Sequence, residues 1–332
     1  MAAALAPDKI LKELSELWVE LAKEGKGESG AGVLRACSMT LVVLAEMADD
    51  PMALGETIAA LMPEHPARAI LVRLQGAGEP ALASRVYSQC WMPFGERRQI
   101  CCEQIEVTAS DAALADLAPV MLAVAAPDLP LILWCRSGRL LRTAEFWNIA
   151  RMARKVVVDS VQLGAALENP GEALRRLANA LRSGFLLGDL SWARLTRWRE
   201  TLAQVFANRA YLDLLPRVSS VKVRFAAGQE IPAHYMGAWL QAAFALGGAR
   251  PSFAREQGES FQVRFAGENL QLEQACRDGS LRVTVNGLSQ CTNLPQPTDY
   301  LMVREELGIL RHDRVFEAAL AAAARLAYPN GK

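Results

Sequence analysis

Histidine is scarce in this chain of 332 residues: His65, His234 and His312 are the whole set, and none stands in a metal-binding spacing. A preponderance of charge of either sign is also missing. The 36 basic residues are matched by 36 acidic ones, for a formal net charge of +0. A nucleic acid or an anionic membrane surface would favour a basic excess, so neither is expected as a partner. No uninterrupted apolar run approaches the length of a spanning helix. Asp8, Lys9, Lys12 and Glu13 interrupt the Ala-rich start, so no secretory signal is read there. Seven irregularly spaced cysteines in a chain this long make no disulfide framework, and a reducing, cytoplasmic setting is expected. The nucleophile elbow G-x-S-x-G, the phosphate loop G-x-x-x-x-G-K-[ST] and the zinc motif H-E-x-x-H do not occur. Neither a cofactor nor a metal is expected.

What is present is an ordinary globular composition, 52% hydrophobic and 22% charged, enough for one large or two medium domains. Ile10, Leu11, Leu14, Leu17, Trp18 and Leu21 recur at helical spacing and predict an amphipathic helix over 8–23. Gly25, Gly27 and Gly30 then match G-x-G-x-x-G. A helix precedes them and a strand-like run follows, the reverse of the dinucleotide context, so the stretch reads as a linker. Strands are predicted at 37–45, 68–74, 83–91, 100–108, 131–136 and 155–159, and helices at 53–63, 111–126, 144–153 and 171–185. The two strands at 83–91 and 100–108 read as a hairpin. The alternation predicts an α/β fold, a mixed, largely parallel sheet flanked by helices. A helix over 191–208 leads to a change of pattern after Pro216. Strands at 218–225, 262–266, 270–277 and 281–286, with helices at 234–246, 298–308 and 312–327, predict a C-terminal α+β unit. The expected division is 1–32 for the helix and linker, 33–210 for the α/β domain and 211–332 for the α+β domain.

Three clusters could carry chemistry. The first is Ser88–Ile105, with Trp91, Phe94, Arg97 and Arg98 beside Cys90, Cys101 and Cys102. On a strand, Cys101, Glu103, Ile105 and Val107 share a face, and a buried Glu103 needs a partner, for which Arg97 or Arg98 is the expectation. Cys90, Cys101, Cys102 and Cys135 fall on neighbouring strands. They are inert buried thiols by default and a redox switch in the functional reading. The second cluster is Arg136, Ser137, Arg139 and Arg142 at the end of the 131–136 strand. It is either an anion site or the solvated basic face of a helix. The third is Trp192, Arg194, Arg197 and Arg199, the residue types of an interface hot spot and equally of guanidinium–indole stacking within a fold.

Four stretches resemble the glucose-6-phosphate dehydrogenase assembly protein family (OpcA): Ser84–Trp91, Glu96–Ile105, Pro127–Arg136 and Asp189–Arg199, with Val158-Asp-Ser160 also similar. The resemblance implies a non-catalytic accessory protein that binds glucose-6-phosphate dehydrogenase, promotes its assembly or active form and supports NADPH supply through the oxidative pentose phosphate pathway. The contact residues expected are Trp91, Phe94, Arg97, Arg98, Trp192, Arg194, Arg197 and Arg199. The alternative is an α/β enzyme or sensor that takes a sugar phosphate or nucleotide at Arg136–Arg142.

Overall fold

The computed structural model describes residues 6–24, 33–78, 82–92, 99–258, 261–277 and 279–327. The chain forms two compact units. Unit 1 comprises 1–158, 186–188 and 299–310, and unit 2 comprises 159–185, 189–298 and 311–332. This differs from the expected boundary near 210: the helical stretch after residue 158, placed with the α/β domain by its pattern, belongs to unit 2 except for 186–188.

The strands are β1 (Val33–Arg35), β2 (Met39–Glu46), β3 (Ala67–Leu74), β4 (Leu82–Trp91), β5 (Gln99–Ala109), β6 (Leu131–Cys135), β7 (Lys155–Val158) and β8 (Leu187–Asp189), then β9 (Val218–Phe225), β10 (Pro251–Arg255), β11 (Gln262–Gly267), β12 (Leu270–Arg277), β13 (Ser280–Val285) and β14 (Leu288–Asn293). The helices are α1 (Pro7–Glu24), α2 (Pro51–Leu61), α3 (Leu114–Val124), α4 (Gly138–Leu141), α5 (Ala144–Ala150), α6 (Ser160–Leu167), α7 (Pro170–Arg182), α8 (Leu190–Ala193), α9 (Thr196–Ala207), α10 (Arg209–Leu212), α11 (Glu230–Ala243), α12 (Asp299–Leu307) and α13 (Arg314–Leu326).

Among the described residues, the first eight strands form one sheet in the order β1-β5-β3-β2-β6-β7-β8, with β4 antiparallel on β5 as an outer strand. The pairs β1–β5, β3–β5, β2–β3, β2–β6 and β6–β7 are parallel. β3, β6 and β7 are buried along their whole length, as is β2 up to Glu46, the condition of a parallel sheet covered on both faces. This is why Leu41–Ala45 reads as an unbroken apolar run and Ala69–Val72 as a second one, set between Arg68 and Arg73. Successive strands move outward from β2 in one direction up to β5 and in the other from β6 onward. The order therefore reverses between β2 and β6, a topological switch point of a doubly wound sheet.

In unit 2 a six-stranded sheet runs β10-β9-β11-β12-β13-β14, parallel only between β9 and β10. One face alternates into the core through Val221, Val223, Phe265, Leu272, Leu281 and Val283. α11 packs on α13, α13 on α7 and α6 on α7. Elements the sequence did not announce are β1, β8, β10, β14 and the short α4 and α6. The 191–208 helix is broken into α8 and α9, and α10 follows it unannounced.

Candidate functional site

The first cluster sits on the β4–β5 hairpin. Cys90 lies directly opposite Cys101 in the ladder, and the two form a disulfide, which corrects the expectation of free thiols for this pair. Trp91 is half-buried at the end of β4, facing Ile100. Phe94, Arg97 and Arg98 lie outside the described residues, as do Gly25, Gly27 and Gly30. The Cys101–Val107 face is buried as expected, but the partner of Glu103 is supplied elsewhere in the fold. Arg68 Nε donates to its Oε2 at 2.5 Å, Arg35 reaches its Oε1 at 2.5 Å, and Trp18 Nε1 donates to the same Oε1. Arg35 also lies over the Trp18 ring, 5.3 Å from its centroid. A carboxylate only 3% exposed is thus neutralised by two guanidinium groups, and it anchors α1 to the sheet. Cys102, on the opposite face, is buried, and burial pushes its thiol up to about 11, away from the reactive thiolate.

The second cluster lies at the carboxyl end of β6. Ser137 caps α4 by accepting from Leu140 N at 2.9 Å, and its hydroxyl also meets Glu46. Arg139 contacts Glu46 at 3.1 Å and Asp111 at 2.6 Å. Arg136 pairs with Asp299 and reaches Asp49 at 3.4 Å, with its guanidinium 5.2 Å from the Trp134 centroid. Burial opposes the Arg136 charge, but Asp299 and Asp49 outweigh it and hold its pKa above the usual value. Arg142 is exposed. Cys135 is fully buried, and burial raises its thiol to about 12.

The third cluster is interior to unit 2. Trp192 is 4% exposed, stacked under Arg199 at 3.4 Å from its centroid and edge-on to Tyr235 at 5.8 Å. Arg194 forks onto Asp159, at 2.6 Å to Oδ2 and 3.0 Å to Oδ1, and Ser191 Oγ donates to the same carboxylate at 2.7 Å. Asp189 accepts the Ser160 and Ser191 amides through Oδ1 and the Tyr235 hydroxyl through Oδ2 at 2.7 Å. The two buried carboxylates are pushed apart. Burial favours the neutral form of both, but Arg194, Ser191 and the Val161 amide hold Asp159 below the usual range. Burial and the charge of Asp159 raise Asp189. Of the four residues named from sequence, Arg197 is the most exposed, paired with Glu200 at 3.0 Å.

The first two clusters belong to unit 1 and the third to unit 2. Among the described residues no group of His, Cys, Asp and Glu side chains could hold a metal ion. The sequence reading placed Asp159 and Asp189 in family-like stretches without a role, and it missed Arg68, Tyr235 and the buried pair of Lys155 with Glu306, whose Nζ–Oε2 distance is 2.6 Å. A lysine opening the run Lys155-Val-Val-Val158 was the available signal for the last.

Residues 58–179 match the family described as glucose-6-phosphate dehydrogenase subunit N-terminal domain, and 186–320 match the corresponding C-terminal domain. The chain belongs to the OpcA glucose-6-phosphate dehydrogenase assembly family. A putative OxPP cycle protein OpcA from Nostoc punctiforme is 28% identical over 160 residues, 48% of this chain and 33% of that protein. One of the same description from Synechocystis is 23% identical over 190 residues, 56% of this chain and 38% of that protein. The matches thus span little more than a third of these curated OpcA relatives. Among solved structures, a 3-ketoreductase from Actinomadura kijaniata with NADP is similar at 12% identity and a TM-score of 0.47, over 87% of this chain and 96% of that one. A biliverdin reductase from Synechocystis is similar at 10% identity and a TM-score of 0.43, over 86% and 96%. No helix among the described residues is long and apolar enough to cross a membrane.

Proposed function

We propose that this chain is a non-catalytic partner of glucose-6-phosphate dehydrogenase that binds the enzyme and promotes its assembled, active form. The observation that carries the reading is the pair of family matches, which run in order along 58–179 and 186–320. The site geometry supports it from the other side: Glu103, Arg136, Arg139 and Arg194 are each engaged by charged partners of the same fold.

An activator works by binding the active conformation or oligomer of its target more tightly than the inactive one, so its contacts must differ between the two states. We assign those contacts first to the β4–β5 hairpin end, where Trp91 is half-buried, Met92 is 63% exposed and Phe94, Arg97 and Arg98 follow in sequence. Arg197 on α9 is the second candidate. Trp192, Arg194 and Arg199 act beneath it by fixing α8 and α9. The chain supports NADPH supply through its partner and works in the cytoplasm.

The test is dehydrogenase kinetics, with the enzyme from the same organism, with and without the purified chain across a substrate series. A lower KM or a higher kcat together with co-elution on size exclusion is expected. Unchanged kinetics and separate elution, in reduced and oxidised buffer alike, would refute the reading.

A further inference from the structure

The doubly wound sheet of unit 1 implies a nucleotide. In such sheets the ligand lies outside the carboxyl ends of the strands at the switch point, with its phosphates on the glycine-rich turn and helix N-terminus that follow the first strand. Here that place is the turn from β2 into α2 beside the end of β6. Three observations show how it is built.

The turn Glu46-Met-Ala-Asp-Asp50 contains no glycine. It is closed on itself instead: Glu46 N donates to Asp49 Oδ2 at 2.8 Å, and Arg73 Nη2 donates to the Met47 and Asp49 carbonyls at 3.0 Å each. Next, the start of α2 has few amides to offer. Pro51 has no N–H, and the Met52 amide is taken by the Asp50 carboxylate at 2.9 Å. Finally, the charge is wrong for a phosphate. Glu46, Asp49, Asp111 and Asp299 converge on Arg136 and Arg139, both already engaged by them. With Asp50 and Arg73 included, five carboxylates meet three guanidinium groups, an excess of two negative charges.

We infer that the switch-point crevice has become an internal ion-pair lock that takes no dinucleotide and no sugar phosphate. Arg139 ties the β2 end to Asp111 after β5, and Arg136 ties the β2–α2 turn to α12. Charges that elsewhere meet a ligand's phosphates here meet the chain's own carboxylates. The inference concerns the chain alone and stands whether or not the dehydrogenase is its partner.

The test titrates the full chain, without partner, with NADP+, NADPH, NAD+ and glucose 6-phosphate, by calorimetry and thermal unfolding. Thermal unfolding is also compared in phosphate and in chloride of equal ionic strength. No saturable heat and no rise in Tm up to about 1 mM ligand, the upper end of ordinary KM values, is expected. Arg139→Ala should lower Tm equally in phosphate and chloride, because it strands Glu46 and Asp111. Saturable binding of any of these ligands, a phosphate-specific rise in Tm that Arg139→Ala abolishes, or an Arg139→Ala variant as stable as the parent would each overturn the inference.

Discussion

Lysine 155 is 2% exposed, and its ammonium is satisfied by three oxygens: Glu306 Oε2 at 2.6 Å, Glu306 O at 2.6 Å and Ile309 O at 2.8 Å. The space exists because residue 188 is glycine: a Cβ there would collide with the Glu306 carboxylate and lie 2.9 Å from Lys155 Cε. Removing one partner of such a pair leaves a buried charge, so Lys155→Met should cost about 3–5 kcal/mol in chemical denaturation. Lys155→Met with Glu306→Leu should recover most of that loss. Asp189 offers a pH test. Its carboxyl is raised in the folded state, so native Asp189 holds its proton where the unfolded chain has lost it, and its contribution is full below about pH 3.9 and is lost as pH rises towards the folded-state value. Asp189→Asn cannot ionise. The stability of the parent relative to this variant should therefore fall as pH is raised from 3 to 7, whatever the constant offset. A difference that stays flat over that range would contradict the shift.

Elements differ in how plainly the sequence announced them. The strands of unit 1 were legible because they are buried on both faces, which leaves apolar runs with little alternative meaning. β1 and β8, three residues each, carry too short a pattern to register. β14 is different: the signal was there. Asn286 and Gly287 have φ of 49° and 86°, the left-handed pair of a tight hairpin turn, and Val285 faces Leu288 across it. The exposed run Leu288–Asn293 offers no alternation, which hid the strand behind its own turn. The described partners of Glu103 were not legible for a tertiary reason. Arg97 and Arg98 are close in sequence, whereas Arg68 arrives from β3 and Arg35 from β1. The same hairpin gives an element-scale prediction. Its disulfide closes a sequence separation of 11 residues, for which chain entropy gives about 2–3 kcal/mol. Reductant should lower denaturation stability by about that amount, and Cys90→Ser with Cys101→Ser should be insensitive to it.

At the scale of the whole molecule, neither unit is a continuous piece of chain. Unit 1 takes back 186–188 and 299–310 after the chain has entered unit 2. α12 is bound into unit 1 by Lys155 with Glu306, Arg136 with Asp299 and Arg304 with Glu64, the last at 2.7 Å. Removing residues 299–332 should therefore weaken the β2–β6–β7 region, read as faster amide exchange in those strands, although they lie far upstream in sequence. The family signature at Asp189–Arg199 was legible as a motif but not as a role. Its aspartate, serine, tryptophan and arginines look like binding chemistry in one dimension, and only the fold brings Asp159 and Tyr235 to meet them.

The re-entry of α12 has a bearing on how the protein is made. A ribosome releases residues in order, and the arm that neutralises Lys155 and Arg136 is more than 140 positions downstream of them. Until it emerges, Lys155 lacks its Glu306 partner and Arg136 lacks Asp299. Completion of unit 1 therefore waits until residues 299–310 have been released, after most of unit 2 has already emerged. α12 then acts as a latch on a sheet whose strands were made long before it.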